Sequence, residues 1–284
     1  MKKAILIPNK IKDNDLALTS RVVKKLIEIG IFPYLDEKYD CVDISGANYY
    51  NIIPSDADFL IVIGGDGSVI DASSLAIELD IPLIGINLGK VGYLAQLEPN
   101  ELDMLTRLDS GEYTVEEKML LSVNKISLDK EEAYANLALN DVVVSHEGYF
   151  GISDIMLENE RGDRVSYRAD GVIASTPAGS TAYSLSAGGP IISHTLDSIT
   201  VTPICPHSFF NRAIVYGPDE HVRISNSGDS VLNVSVDGRY FTKITKGESC
   251  LVYKSDKRLK TVAFTKSNVF TVLSKKINHL NEFI

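Results

Sequence analysis

The sequence predicts an α/β domain followed by a β-rich domain. Three observations carry that prediction. Up to about residue 112, short apolar runs alternate with segments of helical spacing. Beyond it, short β-rich stretches separated by turn signals dominate. A length of 284 residues also exceeds what a single core usually fills.

In the first part, residues 3–7 form a short apolar strand. A helix follows over 11–29, with Leu16, Val22, Val23, Leu26 and Ile27 on one face and Gly30 as its C-cap. Strands are expected at 31–35, 59–63 and 81–86, with helices at 68–79 and 100–109, the last stopping near Gly111. Strands alternating with helices imply a parallel sheet covered on both faces, a Rossmann-like arrangement. In the second part, strands are expected at 113–126, 141–145, 152–158, 172–175, 213–216, 231–236, 249–253 and 262–264. Turns fall at Glu147-Gly148, Arg161-Gly162-Asp163, Ser227-Gly228-Asp229 and Asp237-Gly238, and a short helix at 179–186 interrupts the β pattern. The division is therefore 1–112 for the α/β domain and 113–265 for the sandwich-like β domain. Residues 275–284 read as helical, and the tail 266–284 is expected to pack back on the first domain.

Composition narrows the function classes. Hydrophobic residues at 44% and charged residues at 23% describe an ordinary globular chain, not a disordered or collagen-like one. No apolar run approaches the length of a membrane span, and the apolar start ends at Pro8, short of a signal peptide. A net charge of −10 opposes a nucleic-acid backbone or an anionic membrane surface. Cys41, Cys205 and Cys250 form no zinc spacing and read as reduced, mostly buried thiols of a cytoplasmic protein. The five histidines are scattered, without HExxH, and no GxSxG elbow is present, which disfavours metalloprotease and serine-hydrolase chemistry.

The clearest chemical signal is Gly64-Gly65-Asp66-Gly67-Ser68, between an apolar strand and a helix. Glycines let the backbone approach a ligand closely, and the helix start adds a positive end suited to phosphate oxygens. The loop lacks the Gly-Lys-Ser/Thr ending of a Walker A motif and does not match GxGxxG. A carboxylate among such donors fits a group that accepts a proton or holds a metal; a plain helix cap is the structural alternative. A second signal runs through Arg168-Ala169-Asp170-Gly171, the stretch from Ser175 to Tyr183, and Ala187-Gly188-Gly189-Pro190. Its hydroxyls, amides and the Tyr183 ring suit an adenosine, while a loop that satisfies its own backbone has the same composition. Asn140-Asp141 could clamp a ribose diol or simply turn a strand edge. Asp237-Gly238 reads as a hairpin turn, and Pro203-Ile204-Cys205-Pro206-His207 as a rigid extended loop.

Together these blocks resemble the NAD kinase family. The match comprises the loop 64–68, Asn140-Asp141, the stretch 168–183, the run 186–190 and the segment 203–207, in the family's order. A GGDG loop alone is shared with diacylglycerol kinases, sphingosine kinases and phosphofructokinases; the long run through Ser175 to Tyr183 is far more specific. The resemblance implies transfer of the terminal phosphoryl of ATP, or of inorganic polyphosphate, to the 2′-hydroxyl of NAD's adenosine ribose, with the site in a cleft between the two domains. It implies Asp66 as general base, Gly64, Gly65, Gly67 and Ser68 at the donor phosphates, and Mg²⁺ or another divalent metal with the donor. The NAD side would take Asp66, Gly67, Asn140, Asp141, Arg168, Asp170, Thr181, Ala182, Tyr183, Ser184, Leu185, Ser186 and Arg239. A homodimer or homotetramer is implied, because a neighbouring subunit often completes the nucleotide site.

Several positions depart from the family's usual residues. Ser68 stands for threonine and Asp141 for glutamate, both conservative; Ala178 stands for threonine, Ala169 for glycine and Arg239 for glutamine, and these three bear on the adenine contacts and on NAD against NADH. A lipid kinase of the diacylglycerol type shares the loop but needs a route to the membrane, and no basic amphipathic helix offers one. A non-catalytic nucleotide sensor has little reason to keep Asp66 beside phosphate.

Overall fold

The computed structural model describes residues 1–40, 44–89, 92–127, 131–148, 151–207 and 210–265, with only the backbone for 131–135. The helix expected at 275–284, and with it the tail 266–284, lies outside the described residues, as does Cys41. Two compact units are present among the described residues: 1–117 with 259–265, and 118–258.

The first unit is built on β1 (Lys3–Pro8), β2 (Phe32–Asp36), β3 (Asn48–Tyr50), β4 (Phe59–Gly64) and β5 (Leu83–Asn87). They pair in parallel in the order β5-β4-β1-β2-β3. Each residue of β4 is buried, as expected of a parallel strand with both faces covered, and this is why 59–63 reads as an unbroken apolar run. The connection from β1 runs through α1 (Ala17–Glu28) to β2 on one side; that from β4 runs through α2 (Asp66–Leu79) to β5 on the other. The chain thus reverses its winding direction between β1 and β4, and the carboxyl ends of these two strands flank the crevice where ligands of open α/β sheets bind.

Helix α1 starts at Ala17, later than the spacing predicts. Leu16 adopts a left-handed conformation (φ 54°), and the buried Asp13 carboxylate accepts the amides of Leu18 (3.1 Å) and Thr19 (2.9 Å), satisfying donors the helix cannot. Leu18, Val22, Val23 and Leu26 then face Leu6, Leu35 and Ile61 in the core. Gly30, at φ 73°, closes the helix as its sequence position predicts. The segment expected as a helix at 100–109 is a 3₁₀ turn, Leu102–Thr106, running into the short α3 (Arg107–Ser110).

The second unit contains strands β6 (Thr114–Ile126), β7 (Glu131–Ala138), β8 (Asp141–His146), β9 (Ser153–Asn159), β10 (Arg164–Ala169) and β11 (Gly171–Ser175). A 3₁₀ turn, Gly179–Thr181, and α4 (Tyr183–Ser186) follow. Then come β12 (Ile199–Ile204), β13 (Ile214–Tyr216), β14 (Val222–Asn226), β15 (Leu232–Val236), β16 (Arg239–Ile244) and β17 (Ser249–Ala263). β6 begins and β17 ends in the first unit, where Thr261 lies opposite Leu83 of β5. One antiparallel sheet runs β13-β12-β11-β8-β15-β16; β10, β9, β14 and β17 pair in sequence as the facing layer. Val142, Val144, Val172, Ile199 and Val234 of the first layer share one core with Ile155, Leu157, Val222, Ile224 and Val252 of the second. The unit is a β-sandwich.

Five strands of this unit, β7, β10, β12, β14 and β16, are absent from the sequence reading. β10 and β14 carry polar residues at alternate positions and β16 mixes polar and apolar residues without alternation, so only about half of each reads as apolar. β12 reaches into the segment expected as an extended loop. Pro203 pairs with Val172 there, and β13 covers only Ile199 to Val201, so the missing proline N–H falls on an open edge. The stretches 249–253 and 262–264 are one continuous strand. Cys205 corrects the expectation of buried thiols: it is exposed, at φ 44° where the chain leaves β12. Cys250 is buried, and burial pushes its thiol up to about 12.

Candidate active site

In the first unit the loops at the carboxyl ends of β1, β4 and β5 converge. After β4, Gly65 caps α2, and its carbonyl accepts the amides of Ser68 (2.9 Å) and Val69 (3.2 Å). A Cβ on Gly64 would fall 2.4 Å from Ser68 Oγ, so the loop can close this tightly only with glycine. Asn9, the first residue after β1, donates from Nδ2 to Ser68 Oγ (2.8 Å), and its backbone amide reaches Ile63 O (2.8 Å). The amides of Asp66 and Gly67, ahead of those that Gly65 O takes up, have no acceptor further back in the helix and point out of its start.

Asp66 occupies the first turn of α2, where a carboxylate is favoured by the helix dipole. Its two oxygens accept the amides of Tyr93 (2.9 Å) and Leu94 (3.0 Å) from the loop after β5. That loop wraps so closely that a Cβ on Gly92 would lie 2.1 Å from Asp66 Oδ1. Burial and the Asp66 charge together push the Tyr93 phenol up. Gly92, Tyr93 and Leu94 escape sequence reasoning, which has no signal linking them to a residue so far upstream. An ionised carboxylate offers about four lone-pair positions, so the two amides fix its orientation and leave others for an incoming hydroxyl.

In the second unit, Asn140 and Asp141 lead into β8. The Asp237 carboxylate accepts the amides of Leu139 (2.8 Å), Asn140 (2.8 Å) and Asp141 (3.0 Å), and Asp237 N reaches back to Asp141 O (2.9 Å). Asp237 (φ 48°) and Gly238 (φ 76°) form the expected hairpin turn between β15 and β16. Its second task, clamping the segment 139–141, is one the dipeptide alone does not announce. Asp141 is 5% exposed, and burial followed by the Asp237 charge raises its carboxyl to about 7. Burial also raises the Asp237 carboxyl, against the three amides and Arg239, which favour its charge.

The run 175–190 folds around the same end of β8. Thr176 Oγ1 donates to Leu139 O (2.6 Å), Thr176 N to Asn140 O (2.9 Å), and Gly179 N to Thr176 Oγ1 (2.9 Å). A Cβ on Gly179 would fall 1.9 Å from Asn140 O, so this close backbone approach requires glycine. Much of the hydroxyl inventory is occupied internally. Ser180 donates to Pro177 O (2.7 Å), Thr181 to Ala178 O (3.1 Å), and Ser184 pairs with Thr202 (2.9 Å), all of them buried. Tyr183, 46% exposed, and Ser186 are open to solvent, while Ala182 and Leu185 are half-buried. The expected single helix at 179–186 breaks at Ala182, whose ψ of −126° separates the 3₁₀ turn from α4.

Arg168 and Asp170 are exposed and lie elsewhere. Their backbones bond to the far end of β12, through His207 N to Arg168 O (2.7 Å) and Asp170 N to Ile204 O (3.0 Å). Ser175 pairs with Asp141 but Gly171 with Ser145, so five steps along the strand, roughly 17 Å, separate Asp170 from Asp141. Arg239, exposed at the start of β16, adjoins the Asp237 clamp. Among the described residues no three His, Cys, Asp or Glu side chains converge to hold a metal ion. No helix among them is long and apolar enough to cross a membrane.

Known proteins match both units. Residues 5–113 match the ATP-NAD kinase N-terminal domain and residues 139–264 the ATP-NAD kinase C-terminal domain. The chain is 36% identical over 285 residues to the NAD kinase of Thermoanaerobacter sp. (strain X514), covering 98% of this chain and 99% of the relative. It is 38% identical over 232 residues to the NAD kinase of Geobacter sulfurreducens, covering 80% and 81%. Yeast NADH kinase complexed with NADH superimposes with a TM-score of 0.82 at 21% identity, over 100% of this chain and 88% of that one. An NAD kinase from Archaeoglobus fulgidus in complex with ATP superimposes with a TM-score of 0.71 at 22% identity, over 96% and 99%. The two structures share the fold, and the near-complete relatives share the sequence; this chain belongs to the NAD kinase family, phosphotransferases that act on an alcohol group.

Proposed function

We propose that the protein transfers the terminal phosphoryl of ATP to the 2′-hydroxyl of the adenosine ribose of NAD, forming NADP. The observation that carries this reading is Asp66, held by two backbone amides at the start of α2 beside a glycine loop at the winding reversal of the sheet. A ribose hydroxyl is a weak nucleophile and needs a base within hydrogen-bond reach. Asp66 takes the 2′-hydroxyl proton as the oxygen attacks the terminal phosphorus. The bond from that phosphorus to the bridging oxygen breaks, and ADP leaves with the electron pair. The amides of Gly64, Gly65 and Gly67 and the hydroxyl of Ser68, whose own amide is bonded to Gly65 O, hold the phosphate oxygens, so catalysis rests on positioning and charge stabilisation. The described side chains do not build a cage for a resident metal, and no step here passes through one; magnesium enters with the donor, as MgATP.

Asn140 and Asp141 take the ribose hydroxyls of NAD, held in place by Asp237. Tyr183 and Ser186, the exposed members of their run, meet the adenosine. Arg168 and Asp170, at the other end of β11, serve the site of a second copy, which is how the proposed oligomer bears on activity.

The test is NADP formation by the purified protein with NAD, Mg²⁺ and either ATP or polyphosphate, with the product's phosphate located on the 2′-oxygen. Turnover with ATP is the expected result, and turnover with polyphosphate would extend the donor range. Binding of NAD without turnover under either donor would favour a nucleotide sensor instead.

A further inference from the structure

Lys12 lies in the loop after β1, at the winding reversal of the sheet. Its amide is held by Asn9, whose carbonyl and Oδ1 accept it at 3.1 and 3.2 Å, and the same Asn9 bonds Ser68 Oγ on the glycine loop. Its ammonium lies 2.9 Å from the place a Cβ on Gly65 would take and 3.0 Å from that on Gly89, where φ is +142°. The absence of side chains at these two positions, one after β4 and one after β5, makes the space the ammonium occupies. Lys10, two residues earlier, is engaged: it donates to Lys38 O (2.9 Å) and sits over the Tyr39 ring (4.6 Å). Lys12 is exposed, and among the described residues no carboxylate pairs with its ammonium.

A cation without a carboxylate, held against a glycine loop at the start of a helix, is placed for an anion rather than for the fold. We propose that Lys12 holds the phosphoanhydride chain of the donor through its non-bridging oxygens. This rests on the phosphoryl-transfer reading above and adds a residue to it. Because the contact is to phosphate and not to the nucleoside, it serves ATP and inorganic polyphosphate alike.

The test combines steady-state kinetics on Lys12→Ala and Lys12→Arg with calorimetric binding of inorganic tripolyphosphate, each variant's thermal midpoint being checked against the wild type. In Lys12→Ala the KM for ATP should rise about tenfold or more while the KM for NAD stays within about twofold. Lys12→Arg should recover part of that loss, since the charge is kept and the geometry altered. Tripolyphosphate binding should weaken in parallel. Wild-type turnover with an unchanged ATP KM in Lys12→Ala overturns the assignment while leaving the kinase reading intact. A wild type that forms no NADP yet binds tripolyphosphate through Lys12 overturns the kinase reading and leaves the assignment standing. If the wild type binds no tripolyphosphate and forms no NADP, both fall.

Discussion

Asp141 shows how one residue's surroundings set a pH dependence. Burial and the neighbouring Asp237 raise its carboxyl from the ordinary aspartate range to about 7. Between those two values the folded chain holds a proton that the unfolded chain has released. The stability linked to this proton is therefore full below the ordinary aspartate pKa and is lost as pH rises through about 7. For the ribose contact proposed above, a carboxylate is also the better acceptor, so ionisation would help binding while it costs stability. In the wild type the KM for NAD should fall, and the denaturant midpoint should fall too, as pH is raised through about 7. Asp141→Asn, which carries no titrating group there, should flatten both profiles. Initial-rate and urea-unfolding series at matched pH values read the two effects, and a variant with wild-type slopes would remove Asp141 as their source. The sequence displays Asp141 plainly, but its altered acidity depends on Asp237, nearly a hundred residues later, and on burial by strands that only the fold brings together.

At the scale of elements, β4, α2 and the loop between them were legible because every local signal agrees. The apolar run, the glycines and the helix spacing point to one strand-turn-helix unit. β10, β14 and β16 were not, since only half of each is apolar and short, half-polar stretches resemble loops. The β15–β16 hairpin illustrates the limit well. Its Asp-Gly turn was legible as geometry, yet the carboxylate's hold on residues 139–141 arises from β15 lying beside β8. Asp237→Ala leaves three amides without that acceptor. It should lower the unfolding free energy by at least about 2 kcal/mol in urea titration, and it should raise the KM for NAD more than that for ATP. Equal rises in both, with unchanged stability, would mean the clamp does not position the 139–141 segment.

For the molecule as a whole, a net charge of −10 and a polyanionic donor are at odds, so donor binding must come from local groups rather than from the overall field. In the proposed reading the glycine-loop amides, the start of α2 and Lys12 supply them within the first unit. The residues proposed to take NAD lie on the sandwich, whose hydroxyl-rich run keeps most of its hydroxyls for its own backbone. Sequence composition could not separate those internal hydroxyls from the exposed Tyr183 and Ser186, because the distinction is one of burial. In the proposed reaction a single proton passes from the ribose hydroxyl to Asp66. The most direct measurement is therefore the rate of NADP formation by Asp66→Asn beside the wild type, under saturating NAD and MgATP, with binding of both substrates confirmed by calorimetry. Asparagine keeps the size and one acceptor oxygen but cannot take the proton. The account predicts retained binding and a kcat lower by about 10²-fold or more; a variant that binds both substrates and turns over within a few-fold of the wild type would contradict it.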